Sequence, residues 1–234
     1  MLFGQASIRL RRRGRADLAG WDRALLFGLG LAVTLAALVG PLDRVAEEDY
    51  LSVHMLQHVL IGDVAPALMV VALRGPLLVF FLPAPVLVRV ARARPFFSAL
   101  LRPRTAFGLW TANLAVWHVP WLYDQADRHD ALHYFEHACW VAAGLVVWTL
   151  LVDPGSHRRL SVGGRIALAA AMFAAGQVLT DVLVFAHPLY GPVYTGKLDQ
   201  QLAGVVMMVE QLVTLGVLAY FLLRPRLHPR VATA

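Results

Sequence analysis

The sequence predicts an all-α membrane protein: a polytopic bundle of six transmembrane helices with both termini in the cytoplasm. Of its 234 residues, 59% are hydrophobic and 15% are charged, whereas soluble domains carry about 25% charged residues. The apolar residues are gathered into long runs, and the Lys and Arg residues are concentrated in alternate connections between those runs. No polar stretch is long enough to fold separately, so we expect a single transmembrane domain.

Six runs come close to the length of about 20 apolar residues that a spanning helix needs. They cover residues 24–40, 51–73, 105–122, 131–152, 165–186 and 200–223. A proline lies shortly after five of them, at Pro41, Pro76, Pro154, Pro188 and Pro225, which marks their ends because proline cannot continue a helix. The transmembrane domain is therefore expected over residues 24–223. A basic cytoplasmic segment (1–23) precedes it, and a cytoplasmic tail (224–234) follows.

A further apolar run, residues 76–91, is ambiguous because it is short and contains three prolines. Prolines at that density interrupt a spanning helix. We interpret this run as an interfacial or re-entrant segment inside the transmembrane domain.

The orientation of the bundle follows from the distribution of basic residues. Eighteen of the 21 Lys and Arg residues lie before the first run, after the sixth, and in the connections that share their side. Only Arg44, Arg128 and Lys197 lie on the other side, where the loops are acidic. Since cytoplasmic loops are enriched in Lys and Arg, both termini are expected in the cytoplasm. The net charge of +6 is thus a topology signal, and nucleic-acid binding is not expected.

Seven of the nine histidines lie at the outer ends of the predicted helices. Within this group, His54 and His58 are four residues apart, and so are His133 and His137, a spacing that places two imidazoles on one helix face. His118, at the outer end of the third run, could add a fifth. Histidines at a membrane surface are often ordinary polar residues, which is our interpretation of His129 and His187. Two pairs and His118 on one side predict metal ligation or proton chemistry.

The residues near these histidines indicate which metal is expected. Imidazole suits copper, zinc, iron and nickel, and the thioethers of Met55 and Met207 favour Cu(I). The single cysteine, Cys139, excludes an intrachain disulfide and a thiolate-rich site. Copper is therefore the first metal expected. Ligating histidines usually donate their second N–H to an acceptor, and the candidates at a suitable depth are Asp63, Glu136, Asp181 and Gln57.

Several strings, taken in order, identify a family. They are SVHMLQH (52–58), WHVPWLYD (117–124), HYFEH (133–137), LTD (179–181) and LDQQLAG (198–204). Together they make residues 51–223 resemble the bacterial CtaG-type cytochrome c oxidase assembly proteins, the branch described for caa3-type oxidases. By position, the resemblance assigns its histidine motifs to His54, His58, His118, His133 and His137. Its last string, LDQQLAG, implies that Asp199 lies at the same end of the bundle.

The resemblance implies a non-enzymatic factor in the bacterial plasma (inner) membrane that assembles haem–copper oxidase. Its expected partners are cytochrome c oxidase subunits, and a soluble copper donor is a further candidate. Two alternatives stay open from the residues alone. The first is a membrane protein that binds haem b or carries out redox chemistry, since facing histidines on spanning helices suit that use. The second is a copper permease, for which Asp63 and Glu210 would reach towards the middle of the membrane.

Overall fold

The computed structural model describes residues 2–16, 19–75, 77, 82–191 and 194–227, and the chain within these ranges is helical, with no strand. The all-α prediction is confirmed. Its helices, in chain order, are α1 (Leu2–Arg12), α2 (Trp21–Leu38), α3 (Pro41–Glu48), α4 (Leu51–Ala72), α5 (Ala84–Arg92), α6 (Arg94–Leu100), α7 (Pro103–Trp117), α8 (Pro120–Arg128), α9 (Asp130–Val152), α10 (Val162–Phe185) and α11 (Lys197–Leu227).

Five helices in the described part of the chain are long and apolar enough to cross a membrane: α2, α4, α9, α10 and α11. They match five of the six predicted runs. The third run was expected to reach Leu122, and this boundary was wrong, because α7 ends at Trp117 and α8 starts at Pro120. Pro120 offers no backbone N–H and disfavours helical geometry at the residue before it, which separates the two helices. The 15 residues of α7 extend about 22 Å, against about 30 Å of membrane hydrocarbon.

The ambiguous run 76–91 is described only in part. Residues 76 and 78–81 lie outside the described residues, as do residues 228–234 of the predicted tail. Helix α5 begins after Pro83 and covers the second half of the run. Within the predicted N-terminal segment, α1 is helical and α2 begins at Trp21, three residues before the expected start.

The connections between helices meet at two opposite ends of the bundle. At one end, which we call the basic end, Arg23 donates to the carbonyl of Arg74 (2.5 Å) and the N–H of Gly75 donates to the carbonyl of Pro154 (2.6 Å). These contacts join the start of α2 to the end of α4, and the end of α4 to the end of α9. At the other end, which we call the histidine end, the Tyr190 hydroxyl donates to the carbonyl of His118 (3.1 Å).

Helices α4 and α9 cross closely at two glycines. A Cβ atom added to Gly144 of α9 would collide with the carbonyl group of Gly62 in α4. Gly62 lies in a stretch of π-helix, Leu60–Val64, in which the N–H of Ala65 donates to the carbonyl of Leu60. No side chain separates the two backbones at this crossing. The first turns of α4 and α9, on the side of the histidine end, can therefore approach each other.

Candidate metal centre

Four buried histidines from α4 and α9 form a cluster at the histidine end, which we call the four-histidine cluster. They are His54, His58, His133 and His137. Each is exposed by 5% or less. One ligand nitrogen from each histidine lies within 4.8 Å of those from the other three. The structure thus brings both predicted pairs together, because each pair occupies the face of its own helix that is turned towards the other helix.

The nitrogens within each pair face each other directly. The Nε2 atoms of His54 and His58 are 3.0 Å apart, and those of His133 and His137 are 2.8 Å apart. Between the helices, the ring centroids of His54 and His133 are separated by 5.3 Å. Four nitrogens around a tetrahedral ion such as Zn²⁺ would be about 3.3 Å apart, given metal–nitrogen distances of about 2.0–2.1 Å. The nitrogens within each pair are therefore close to the separation expected in a four-coordinate metal site, and all four lie within 4.8 Å of one another.

Tyr194 determines which nitrogen of His54 faces the cluster. Its hydroxyl donates to the carbonyl of Ala46 (2.5 Å), so its oxygen is left to accept from His54 Nδ1 (3.2 Å). Burial raises the pKa of the Tyr194 hydroxyl, which therefore stays protonated and able to donate. With the proton of the neutral ring on Nδ1, the Nε2 atom of His54 presents a lone pair to the cluster. In metal proteins, a hydrogen bond from the ring nitrogen that does not bind the metal orients a ligating histidine in this way.

Two carboxylates lie beside the cluster. Glu136, which is 1% exposed, places Oε1 3.6 Å from His58 Nε2 and accepts from the indole of Trp140 (3.3 Å). Glu47 of α3 places Oε1 3.8 Å from His133 Nε2. Partial burial, and then the nearby carboxylate of Asp43, raise the pKa of Glu47. A cation bound among the four imidazoles would favour the charged form of both carboxyl groups.

Asp199, predicted as a possible secondary ligand, instead holds the start of α4. Its carboxylate accepts from the backbone N–H groups of Leu51 (2.7 Å) and Ser52 (3.1 Å), and from the Ser52 hydroxyl (2.5 Å). It therefore acts as an N-cap supplied by α11. The first turn of α4, which carries His54, is fixed to α11 by these bonds.

We expect Asp199→Ala to lower the free energy of unfolding by about 2 kcal/mol, because it removes an N-cap and leaves backbone N–H groups without a partner. The measurement is thermal unfolding of the purified protein in detergent. The matched control is Asp49→Ala, which removes an exposed carboxylate from the same end of the bundle. Equal unfolding temperatures for the two variants would contradict the capping role.

His118 lies apart from the four-histidine cluster and faces Met55. Its Nδ1 donates to the carbonyl of Leu114 (2.8 Å), and its Nε2 is 3.4 Å from the sulfur of Met55. Both side chains line a cavity of about 20 Å³, together with His58 and Met207. The structure therefore brings five of the predicted residues to this cavity, these four and Asp63, and the cavity adjoins the cluster through His58.

The remaining predicted carboxylates have different surroundings. Asp63 lines the same cavity and accepts from the indole of Trp148 (3.0 Å). Asp181 is exposed on α10, accepts from Gln177 (3.1 Å), and is not brought to the cluster.

The sequence analysis did not predict a role for Tyr194, because this residue lies outside the strings that carry the family resemblance and its contact with His54 joins residues far apart in the chain. Glu47 was noted only as part of an acidic loop. Its place beside His133 comes from the packing of α3 against α4.

The fold and the cluster define a class of protein: a helical membrane protein whose buried imidazoles are arranged as a site that could hold a metal ion. The chain belongs to the cytochrome c oxidase caa3 assembly factor family (Caa3_CtaG), whose family model matches residues 1–226. The predicted family is confirmed. No curated protein and no solved structure matches the chain.

Proposed function

We propose that this protein is a non-enzymatic assembly factor that holds a copper ion in the four-histidine cluster and passes it to a cytochrome c oxidase subunit. The observation that carries the proposal is the burial of four imidazoles whose ligand nitrogens lie within 4.8 Å of one another. Membership of an oxidase assembly family supplies the purpose. A bound ion would accept a lone pair from each of the four buried rings, which imidazole nitrogens supply readily to copper.

The chemistry of the donors suits transfer better than permanent storage. The cluster contains only neutral nitrogen ligands and lacks a thiolate, the ligand that would hold copper most tightly. The carboxyl groups of Glu47 and Glu136 lie beside the cluster without being at bonding distance from a shared ion. Such a site would load from a soluble copper donor and release the ion to an oxidase subunit docked at the same end.

We propose that the chain crosses the plasma membrane of a bacterium six times and that both termini lie in the cytoplasm. In this arrangement α7 crosses the membrane in addition to the five helices of spanning length. Residues 24–223 would form the transmembrane domain, with 1–23 and 224–234 as its cytoplasmic ends and 76–91 as an interfacial segment. The contacts of Arg23 with Arg74 and of Gly75 with Pro154 support this arrangement, because they join connections that the basic residues assign to the cytoplasm. The four-histidine cluster would then lie at the outer membrane surface.

Metal analysis of the purified protein tests the proposal. Replacing His54, His58, His133 and His137 by Gln should lower the bound copper. It should also weaken the affinity for Zn(II), a probe that imidazoles bind well, by at least about tenfold. The matched control replaces His129 and His187, two exposed histidines at the same end. It should retain the bound copper and the affinity for Zn(II).

Two outcomes would overturn the proposal. One is unchanged copper content and Zn(II) affinity in the variant that lacks the four histidines. The other is an intense Soret band with bis-histidine features in the wild-type protein, which would favour the haem-binding alternative.

A further inference from the structure

The cavity beside the four-histidine cluster contains a different set of donors from the cluster itself. Its volume is about 20 Å³, and Met55, His58, His118 and Met207 contribute to its wall. A single water needs about 10–15 Å³, so the space suits one small occupant. We call these four side chains and the space between them the Met–His cavity.

The proton on His118 can be placed from its contacts. A carbonyl oxygen only accepts, so the 2.8 Å bond to Leu114 requires the proton on Nδ1. In the neutral ring, Nε2 is then a bare lone pair, and it faces the sulfur of Met55, which carries no hydrogen. A hydrogen bond between them would need a doubly protonated, charged imidazole, which is costly at a residue that is 7% exposed. Two lone-pair donors therefore face each other.

The separation of these donors fits a shared metal ion. With a metal–nitrogen distance of about 2.0 Å and a metal–sulfur distance of about 2.3 Å, two ligands of a tetrahedral ion lie about 3.5 Å apart. The distance between His118 Nε2 and Met55 Sδ is 3.4 Å. Met207, which is 6% exposed, brings a second thioether to the same cavity.

His58 belongs to both groups of donors. Its Nε2 faces His54 in the four-histidine cluster at 3.0 Å. Its Nδ1 is buried and has no hydrogen-bond partner among the described residues, and the ring lines the Met–His cavity. One imidazole thus separates the two sets of ligands.

We propose that Met55, His118 and Met207 form a second metal site, selective for Cu(I), which exchanges copper with the four-histidine cluster across His58. Thioether sulfur favours Cu(I) over Zn(II), whereas four imidazoles accept either ion. The second site would therefore make the two metal sites together selective for copper. The exchange requires no change of oxidation state, because both sites can hold Cu(I). This inference rests on the proposed role of the four-histidine cluster, and the experiment below separates the two.

The test is anaerobic titration of the detergent-purified protein with Cu(I) against a chromophoric chelator, and with Zn(II) in parallel. The wild-type protein should bind two Cu(I) ions and one Zn(II) ion. The double variant Met55→Leu/Met207→Leu should lose one Cu(I) ion, or bind it at least tenfold more weakly, with Zn(II) binding unchanged. Its control is Met172→Leu, which replaces a buried methionine of α10 that does not line the cavity and should behave as wild type.

X-ray absorption on the Cu(I)-loaded protein gives a second measurement. A sulfur contribution at about 2.3 Å is expected in the wild type and should disappear in Met55→Leu/Met207→Leu. Unchanged Cu(I) stoichiometry and affinity in the double variant, or the absence of sulfur from the wild-type spectrum, would overturn the second site. Failure of the four-histidine cluster alone would look different: Zn(II) would not bind, and sulfur-bound Cu(I) would remain.

Discussion

Cells whose only copy of this protein carries His54→Gln and His58→Gln should assemble an oxidase that contains less copper per haem. We expect the copper-to-haem ratio and the oxidase activity to fall together, to the level of a strain lacking the gene. The reason is that the double change removes one complete i, i+4 pair, so the cluster retains only two imidazoles and can no longer enclose an ion. Glutamine keeps a polar side chain of similar reach, which limits the damage to packing.

The measurement is the copper-to-haem ratio of oxidase purified from membranes, beside its turnover rate. The control strain carries His129→Gln and His187→Gln and should retain wild-type values, because these histidines are exposed and lie outside the cluster. Immunoblots must show equal amounts of each variant in the membrane. Normal oxidase copper and activity in the His54→Gln/His58→Gln strain would mean that the cluster has no part in supplying copper.

A single methyl group at Gly144 should have the largest effect on stability. In Gly144→Ala, the new Cβ would collide with the backbone carbonyl of Gly62, which cannot turn aside as a flexible side chain could. The helices α4 and α9 would have to separate, and the overpacking should lower the free energy of unfolding by about 3 kcal/mol. Thermal unfolding in detergent measures the loss, and Zn(II) affinity should fall as well, because the same crossing holds the two histidine pairs together.

Gly108→Ala is the matched control, since a Cβ there meets no atom within 4 Å. Alanine is favoured over glycine inside a helix by about 1 kcal/mol, so this variant should be as stable as the wild type or more so. If Gly144→Ala unfolded at the same temperature as Gly108→Ala, the close approach at Gly62 and Gly144 would be refuted.

Much of the fold could be predicted because hydropathy and prolines mark the ends of membrane helices. Five of the six runs correspond to helices of spanning length. The break before Pro120 was the exception: the apolar run passes through His118 and Val119, and hydropathy does not register the local geometry that proline imposes. The distribution of Lys and Arg predicted which connections share an end of the bundle, and the contacts between Arg23 and Arg74 agree with it.

The sequence predicted those parts of the site that depend on residue spacing within one helix, but not those that depend on packing between helices. Spacing placed His54 with His58 and His133 with His137, because four residues make about one helical turn. Spacing could not indicate that His118 would face Met55, since that contact depends on where the end of α7 lies relative to α4. For the same reason Asp181 was expected near the site although it is exposed, and Tyr194, which orients His54, was not expected at all.

The π-helical stretch Leu60–Val64 accommodates one more residue than the same length of α-helix would. It therefore sets the rotation of the first half of α4, which carries His54 and His58, relative to the second half, which packs against α2. Removing one residue from the stretch would restore regular α-helix and turn the first half of α4 by about 100°. Both imidazoles would then point away from α9, so the length of this five-residue stretch is as much a requirement of the cluster as the histidines themselves.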